Sequence, residues 1–383
     1  MEAWSVHRLS QKAAPILGQK SADDLKAYTQ RLIRTGLPAI FTLRHLSKIT
    51  EVDYSLLRAS VERRREVANY GMFAIKKRSG GRRHIHAVTG GLFRTQQFIN
   101  AEILQKLRPH PASFAFHADG GIRACASMHC DARWMFQYDL ADFFYSVNEA
   151  DVYTVFVDAG YRPLLAFELA RLCTTTRLPE HLRHLLWPNR TNVSKQDYQF
   201  YLERSGAIGV LPQGAPTSPM LSNLAAVSLD NELTLYADQH GLVYTRYADD
   251  LTFSASEDLP KGLSVGDIHR AVIRSIRKNG FRENRKKTRV AGPGSRKIVL
   301  GLLVDGNTPR LSREMYKRID RHLHAVHKYG LIEVAKHEGF DSSIGFHNHL
   351  TGLIAFVKDV DSVRWREFYE RFTKISSPTN LAN

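Results

Sequence analysis

The sequence has few cysteines and no long apolar run. Its 383 residues include three cysteines, Cys125, Cys130 and Cys173, and no Cys-x-x-Cys pair. Three cysteines are too few, and an odd number, for a disulfide framework, and they suit a reducing compartment. No segment approaches the roughly 18 apolar residues that a membrane-spanning helix requires, and the first residues do not begin a charged-then-apolar signal pattern. We therefore expect a cytoplasmic protein without a membrane partner.

Acidic residues are in the minority. The chain has 38 of them against 54 lysines and arginines, which gives a formal net charge of +16. A charge this large favours a polyanionic partner such as nucleic acid, because each neutralised phosphate releases counterions. The alternative, a basic protein with no such partner, remains open from charge alone.

Internal repeats are absent, and strands and helices are interleaved. Alternation and turn residues predict strands at 70–77, 84–88, 134–140, 242–247, 251–254 and 298–304. Apolar spacing of three and four predicts helices over 1–68, 92–107, most of 149–205, 267–279 and 312 to about 375. The order lacks regular βαβ alternation, so we predict an α+β fold.

Two adjacent acids occupy the tip of the hairpin predicted between residues 242 and 254. Asp249 and Asp250 repel each other, and a divalent cation compensates such a pair well because it prefers carboxylate oxygens. Asp139 ends another apolar strand, and acids at strand ends can converge across a sheet. Such a set can hold two Mg²⁺ ions for phosphoryl transfer. From this motif alone, an ordinary Asp-Asp turn remains an alternative.

A loop that cannot belong to the core separates these acids. Residues 211–219 read Leu-Pro-Gln-Gly-Ala-Pro-Thr-Ser-Pro, with three prolines and one glycine. We predict a rigid loop whose backbone approaches a ligand closely at Gly214. A plain proline-rich connector is the alternative.

Five blocks in a fixed order resemble the reverse transcriptases, and among these the bacterial retron type. The blocks are Asp139 with Phe143-Phe144, the 211–219 loop, Tyr-Ala-Asp-Asp at 247–250, Asn279-Gly-Phe with Lys287-Thr288, and Leu300-Gly-Leu. The resemblance implies a right-hand polymerase fold with fingers, palm and helical thumb. The implied division is a helical N-terminal region at 1–68, fingers at 69–135, a palm at 136–304 with a helical insertion around 149–205, and a thumb at 305–383.

The resemblance also implies roles for individual residues. Asp139, Asp249 and Asp250 match the catalytic, metal-binding triad, with the Leu140 backbone as a further candidate ligand. The implied nucleotide-binding residues come from fingers and palm: Lys76, Arg83, Phe144, Gln213, Gly214 and Lys287. Lys76 and Arg83 would grip the triphosphate, and Lys287 would assist phosphoryl transfer.

Phe144 would exclude the ribose 2′-hydroxyl of an incoming nucleotide and so select deoxynucleotides. The alternative is a core aromatic. If Phe143 and Phe144 lie in a strand, they point to opposite faces. We expect Phe144 to face the site and Phe143 the core.

The function implied is an RNA-directed DNA polymerase that uses two Mg²⁺ ions. It would copy a structured noncoding RNA into a short RNA-linked DNA, in bacterial antiphage defence. That setting raises a separate defence effector protein as a further partner, whereas the oligomeric state is not indicated. Two alternatives remain open: a defence-associated enzyme with protein-primed or untemplated DNA synthesis, and a non-catalytic RNA-binding scaffold.

Two stretches depart from the retron pattern. Cys125-Ala-Ser-Met-His129 stands where these enzymes have Asn-Ala-x-x-His, and Val299-Leu-Gly301 where they have Val-Thr-Gly. We expect these departures to bear on recognition of the template RNA rather than on polymerisation.

Cations recur at helical spacing in the region that corresponds to the thumb. The predicted nucleic-acid-binding residues are Arg313, Lys317, Arg321 and Lys328. Apolar residues recur on the opposite side of the same helix, so one face packs and the other is cationic. We expect contact with a duplex backbone, with a merely solvated face as the alternative.

Overall fold

The structure is a computed structural model that describes residues 5–76, 80–187 and 206–375. Its strands are β1 (Tyr70–Lys76), β2 (Arg82–Val88), β3 (Trp134–Asp139), β4 (Val243–Tyr247), β5 (Asp250–Ala255), β6 (Arg289–Ala291), β7 (Ile298–Val299) and β8 (Leu302–Leu303). The helices before β3 are α1 (Val6–Leu17), α2 (Gln19–Arg34), α3 (Leu43–Thr50), α4 (Tyr54–Val61), α5 (Glu66–Asn69), α6 (Gly90–Glu102) and α7 (Ile122–Ser127).

The helices after β3 divide into a central and a C-terminal group. The central ones are α8 (Phe143–Ser146), α9 (Glu149–Asp158), α10 (Pro163–Cys173), α11 (Ser218–Ala225), α12 (Val227–Gln239) and α13 (Val265–Lys278). The C-terminal ones are α14 (Arg313–Tyr329), α15 (Leu331–His337), α16 (Ser343–Val360) and α17 (Ser362–Thr373). Short 3₁₀ turns lie at Leu104–Lys106, Glu180–Leu186 and Arg285–Lys287.

A four-stranded antiparallel sheet lies at the centre, in the order β4-β5-β3-β6. Its long strands are rich in aromatic and β-branched residues, which suit a packed pleated surface. β1 and β2 form a separate antiparallel hairpin. Sheet and helices follow each other without βαβ units, so the predicted α+β class is confirmed.

One apolar core joins the N-terminal helices to the central sheet. Side chains from α2 to α4, such as Leu32 and Leu57, belong to the same buried cluster as Phe136 and Phe253 of the sheet and Leu169 of α10. The predicted helical insertion around 149–205 is α9, α10 and a 3₁₀ turn. Its residues 188–205 lie outside the described part of the chain.

The C-terminal helices pack on the opposite face of the sheet through a second apolar cluster. Ile319 of α14 and Leu350 of α16 meet Met135 of β3 and Cys125 of α7 there. Helices over 312 to about 375 were predicted, and α14 to α17 confirm them. None of the helices in the described ranges is long and apolar enough to cross a membrane.

The continuous buried strand predicted over 298–304 is wrong. The chain reverses at Leu300 and Gly301, whose φ angles are 50° and 88°, and forms a tight hairpin of β7 and β8. Left-handed backbone at two successive residues suits a two-residue turn and not a strand. Apolar composition alone does not distinguish a strand from such a hairpin.

Candidate active site

The acids converge at one end of the central sheet. Asp139 ends β3 and is the register partner of Asp250, which begins β5. The N–H of Leu140 donates to the Asp249 carbonyl oxygen at 2.9 Å. Ala248 turns the chain between the two strands with a φ of 55°. The predicted convergence of strand-end acids is therefore present.

Two side chains from one 3₁₀ turn engage Asp139. Asn284 Nδ2 donates to Oδ1 at 2.9 Å, and Lys287 Nζ lies 2.5 Å from Oδ2. The Asn284 N–H also donates to the Asp139 carbonyl oxygen at 2.7 Å. Lys287 was predicted near this site, whereas Asn284 was missed. The available signal was its position one helical turn before Lys287.

Burial and neighbouring acids raise the pKa values of Asp249 and Asp250. Burial, followed by the charge of Asp139, raises the pKa of Asp249. The Asp250 residue is exposed as a whole, but burial of its carboxyl and the charges of Asp249 and Asp139 raise its pKa to about 6. Burial acts to lower the pKa of Lys287, but contact with Asp139 outweighs it and the pKa is raised. The site thus concentrates negative charge that needs a cation.

The donor chemistry fits a hard divalent cation. Carboxylate oxygens are the ligands that Mg²⁺ prefers, and clustered carboxylates with raised pKa values gain from binding it. Within the described ranges, no three His, Cys, Asp or Glu side chains are already grouped closely enough to hold a metal ion. Lys287 and Asn284 occupy the Asp139 oxygens instead.

A buried ion pair supports the tip from beneath. Arg246 and Asp230 are both fully buried, and Arg246 Nη2 lies 2.6 Å from Asp230 Oδ2. Arg246 also donates to Asn223 Oδ1 at 2.8 Å and to the Ala248 carbonyl oxygen at 3.3 Å. Tyr244 donates to Asp230 at 2.8 Å. Arg246, which lies on β4 just before the acidic tip, is therefore held by an ion pair and hydrogen bonds as well as by packing.

A buried histidine joins the two strands that carry the tip. His129 Nδ1 lies 2.7 Å from Ser254 Oγ, and His129 Nε2 lies 2.7 Å from Thr245 Oγ1. Cys125 Sγ lies 3.3 Å from the same threonine oxygen. Both His129 and Cys125 are buried, so these side chains contact the sheet and not solvent. The effect of this stretch on template recognition stays a prediction.

The loop at residues 211–219, called the glycine loop from here on, packs on the β1–β2 hairpin. The His86 N–H donates to the Gln213 carbonyl oxygen at 2.7 Å. Gly214 has a φ of 110°, and a Cβ there would lie 2.9 Å from the His86 carbonyl oxygen and from Ile85 Cγ2. A side chain at this position would clash with the hairpin. The close approach predicted at Gly214 is therefore made to the protein's own backbone.

Lys76 and Arg83, the two predicted triphosphate contacts, lie on opposite faces of the β1–β2 hairpin. Lys76 pairs with Arg82, and Arg83 pairs with Ile75, and directly opposed residues share a face. Arg83 therefore lies on the face of Ile85, which reaches Gly214. Lys76 and Arg82 together line a cavity on the other face. Only one of the two predicted triphosphate contacts faces the glycine loop in this arrangement.

Phe143 and Phe144 lie in the short helix α8, so the strand assumed for them is wrong. Asp142, with a φ of 52°, turns the chain sharply after β3 and starts the helix. Phe143 is buried, and its ring lies 5.7 Å from that of Phe281. Phe144 is half-buried. The expected core position of Phe143 is thus confirmed, whereas the position of Phe144 facing the site stays a prediction.

Helix α14 has the predicted cationic face. The cations Arg313, Lys317, Arg321 and Lys328 are all exposed. Ile319, Leu323 and Val326 are buried on the other side of the helix. The amphipathic pattern is therefore confirmed, and the cations are available to a ligand.

Comparison with known proteins relates this chain to polymerases. The family model described as reverse transcriptase (RNA-dependent DNA polymerase) matches residues 75–302. The retron Ec86 reverse transcriptase of Escherichia coli is 30% identical over 358 residues, which cover 93% of this chain and 95% of that protein. The retron Mx65 reverse transcriptase of Myxococcus xanthus is 34% identical over 361 residues, covering 94% of this chain and 77% of that protein.

Proposed function

The chain belongs to the retron reverse transcriptase family and is therefore an RNA-directed DNA polymerase, and on this premise we propose that it copies a structured noncoding RNA into short RNA-linked DNA. The observation that carries this proposal is the meeting of Asp139 with Asp249 and Asp250 at one end of the sheet. The cellular role that we propose is antiphage defence, with a separate effector protein as partner.

We assign the right-hand organisation to the elements as follows. The β1–β2 hairpin belongs to the fingers, the four-stranded sheet is the palm, and α14 to α17 form the thumb. This division follows the family resemblance, and it is supported by a second apolar cluster through which α14, α16 and α17 pack on the sheet.

Asp139, Asp249 and Asp250 would hold two Mg²⁺ ions, with the Leu140 carbonyl oxygen as a further ligand. When bound, these ions would activate the attacking 3′-hydroxyl and stabilise the leaving pyrophosphate. Metal binding requires Lys287 to leave the Asp139 oxygen that it contacts. Once released, its ammonium group would donate to the pyrophosphate.

The nucleotide would lie between the hairpin and the glycine loop. Arg83 reaches the triphosphate from the face it shares with Ile85, and Lys76 would need movement of the hairpin to join it. Gln213 and Gly214 would contact the nucleotide from the docked loop. Phe144 would lie beneath the sugar, where its ring leaves no room for a 2′-hydroxyl.

The cationic face of α14 would bind the RNA backbone. Its four cations are exposed and face away from the apolar cluster beneath the helix. Contacts to phosphates position an RNA without reading its sequence.

Primer extension on an RNA template tests the catalytic assignment. With Mg²⁺ and deoxynucleotides, Asp249→Asn should reduce incorporation to background, because an amide cannot replace a charged metal ligand. The matched control is Asp258→Asn, at an exposed acid beyond the other end of β5, which should retain activity. Near-normal extension by a folded Asp249→Asn protein would refute the assignment.

The nucleic acid made in the native host separates the remaining alternatives. We expect DNA joined to RNA, sensitive to ribonuclease, and carrying a copy of one bound noncoding RNA. Protein-linked DNA, released by proteinase, would favour protein priming. DNA without a template copy would favour untemplated synthesis. The non-catalytic scaffold does not fit membership of a polymerase family.

A further inference from the structure

Phe116 has a backbone conformation that a bulky residue rarely adopts. Its φ is 68°, in the left-handed region that favours glycine and asparagine. A phenylalanine there is strained, and strain of this kind persists only where the surroundings impose it. The residue is also 37% exposed, so burial of apolar surface gives only part of the compensation.

The surrounding loop imposes this conformation through hydrogen bonds to other elements. The Phe114 N–H donates to the Arg246 carbonyl oxygen on β4 at 2.9 Å. Asn223 Nδ2 donates to the buried Ala115 carbonyl oxygen at 2.6 Å, and Gln105 Nε2 donates to the Phe116 carbonyl oxygen at 3.2 Å. The loop is thus fixed to the same strand that carries the acidic tip.

The strained backbone places the Phe116 ring against Phe144. The two ring centroids are 6.2 Å apart at 39°, within the range of favourable aromatic pairs. Phe143 lies on Phe144 with centroids 5.7 Å apart. Phe144 therefore has an aromatic neighbour from the core and another from the 112–121 loop.

We infer that Phe116 is a positioning residue for sugar selection, which holds the Phe144 ring in the place where it excludes a 2′-hydroxyl. This inference rests on the proposed role of Phe144. Helix α8 is a single turn, so it does little to restrict rotation of the Phe144 side chain. If the Phe144 ring could rotate away, the site would admit a ribonucleotide. Phe143 contacts the Phe144 ring on the core side, and Phe116 contacts it from the 112–121 loop.

This inference predicts that a substitution at Phe116 changes sugar specificity without a matching loss of thermal stability. Phe116→Gly removes the ring and also relieves the left-handed strain. We expect the melting temperature to change little, because the relief of strain offsets the lost ring contact and the added flexibility of glycine in the unfolded chain. The ratio of kcat/KM for matched deoxy- and ribonucleotides should fall by about tenfold, the scale for losing one apolar contact in a specificity pocket. The change should appear mainly as a lower KM for the ribonucleotide.

Three further variants make the test specific. Phe116→Tyr keeps the ring and should keep the ratio. Phe93→Ala removes a similarly exposed aromatic from α6 and should leave the ratio unchanged. In a Phe144→Val background, Phe116→Gly should have no further effect on the ratio, because the ring that it holds is gone.

The outcomes distinguish this inference from the proposed function. A folded Phe144→Val protein with an unchanged ratio would refute the role of Phe144 itself. A ratio altered in Phe144→Val but unchanged in folded Phe116→Gly would overturn the inference and leave the role of Phe144 intact. If Phe116→Gly fails to fold, Phe116→Asn provides the same comparison, because asparagine tolerates the left-handed region.

Discussion

At the scale of single residues, the three active-site carboxylates differ in how their negative charge is compensated. Asp139 is satisfied by Asn284 and Lys287 from one turn. Among the described residues, no side chain donates a hydrogen bond to the Asp250 carboxylate. Its pKa is raised to about 6 by burial and by its acidic neighbours. Without metal, its ionised form therefore opposes folding at neutral pH.

We predict that Asp250→Asn stabilises the metal-free protein in a pH-dependent way. The pKa of Asp250 is higher in the folded protein, about 6, than its ordinary value of 3.8. Wild-type stability is therefore lost as pH rises between these values, and the loss is complete above pH 6. Melting in EDTA should show Asp250→Asn above wild type at pH 8, with the gain vanishing near pH 4.

Added Mg²⁺ should reverse this order at pH 8, because only the wild type gains a ligand that binds the folded state. Asp24→Asn, at an exposed acid on α2, is the control and should leave the melting temperature unchanged throughout. A metal-free gain that is independent of pH would contradict the electrostatic explanation.

At the scale of elements, the β4–β5 hairpin is held by polar contacts behind it. His129 lies against one hydroxyl from each strand, and burial lowers its pKa to about 4. It is therefore neutral at physiological pH, with one ring nitrogen donating and the other accepting. This contact fixes the two strands relative to each other and so supports the acidic tip.

We predict that His129→Ala lowers the free energy of unfolding by about 2–5 kcal/mol, because it leaves two buried hydroxyls without this partner and opens a cavity. Urea denaturation measures the change. His129→Gln, which retains donor and acceptor groups, should lose less. The control is His324→Ala, at an exposed histidine of α14. A loss below about 0.5 kcal/mol in His129→Ala would show that the hairpin does not depend on this contact.

At the scale of the whole molecule, the cationic face of α14 lies on a different element from the catalytic acids. The net charge of +16 includes the exposed cations of α14, whereas the carboxylates gather at one end of the sheet. RNA binding and chemistry should therefore be separable by mutation.

We predict that Asp249→Asn keeps its RNA affinity while replacement of Arg313, Lys317, Arg321 and Lys328 by glutamine weakens it. The slope of log K against log salt should become shallower by about 3, since four phosphate contacts each release about 0.7–0.9 counterions. Filter binding across a salt series measures both quantities.

The matched control for this experiment removes the same charge elsewhere. Glutamine at Lys12, Lys20, Arg34 and Lys48, all exposed on the N-terminal helices, should change the slope much less. Equal slopes for the two quadruple variants would mean that net charge, and not the α14 face, governs binding.

The sequence by itself determined the elements whose signals are local. The β1–β2 and β4–β5 hairpins follow from alternation around a turn, and the cationic face of α14 follows from its spacing of three and four. The strand-end positions of Asp139, Asp249 and Asp250 follow from the apolar segments beside them, whereas their role as a triad came from the family resemblance. These features need only the few residues around them.

Only the tertiary structure decided which distant side chains meet. Asn284 reaches Asp139 across 145 positions, and Phe116 meets Phe144 because β4 fixes its loop. Strand register put Lys76 and Arg83 on opposite faces, and two left-handed residues turned the expected strand at 298–304 into a hairpin. Such contacts depend on the packing of segments far apart in the chain, and local periodicity carries no information about that packing.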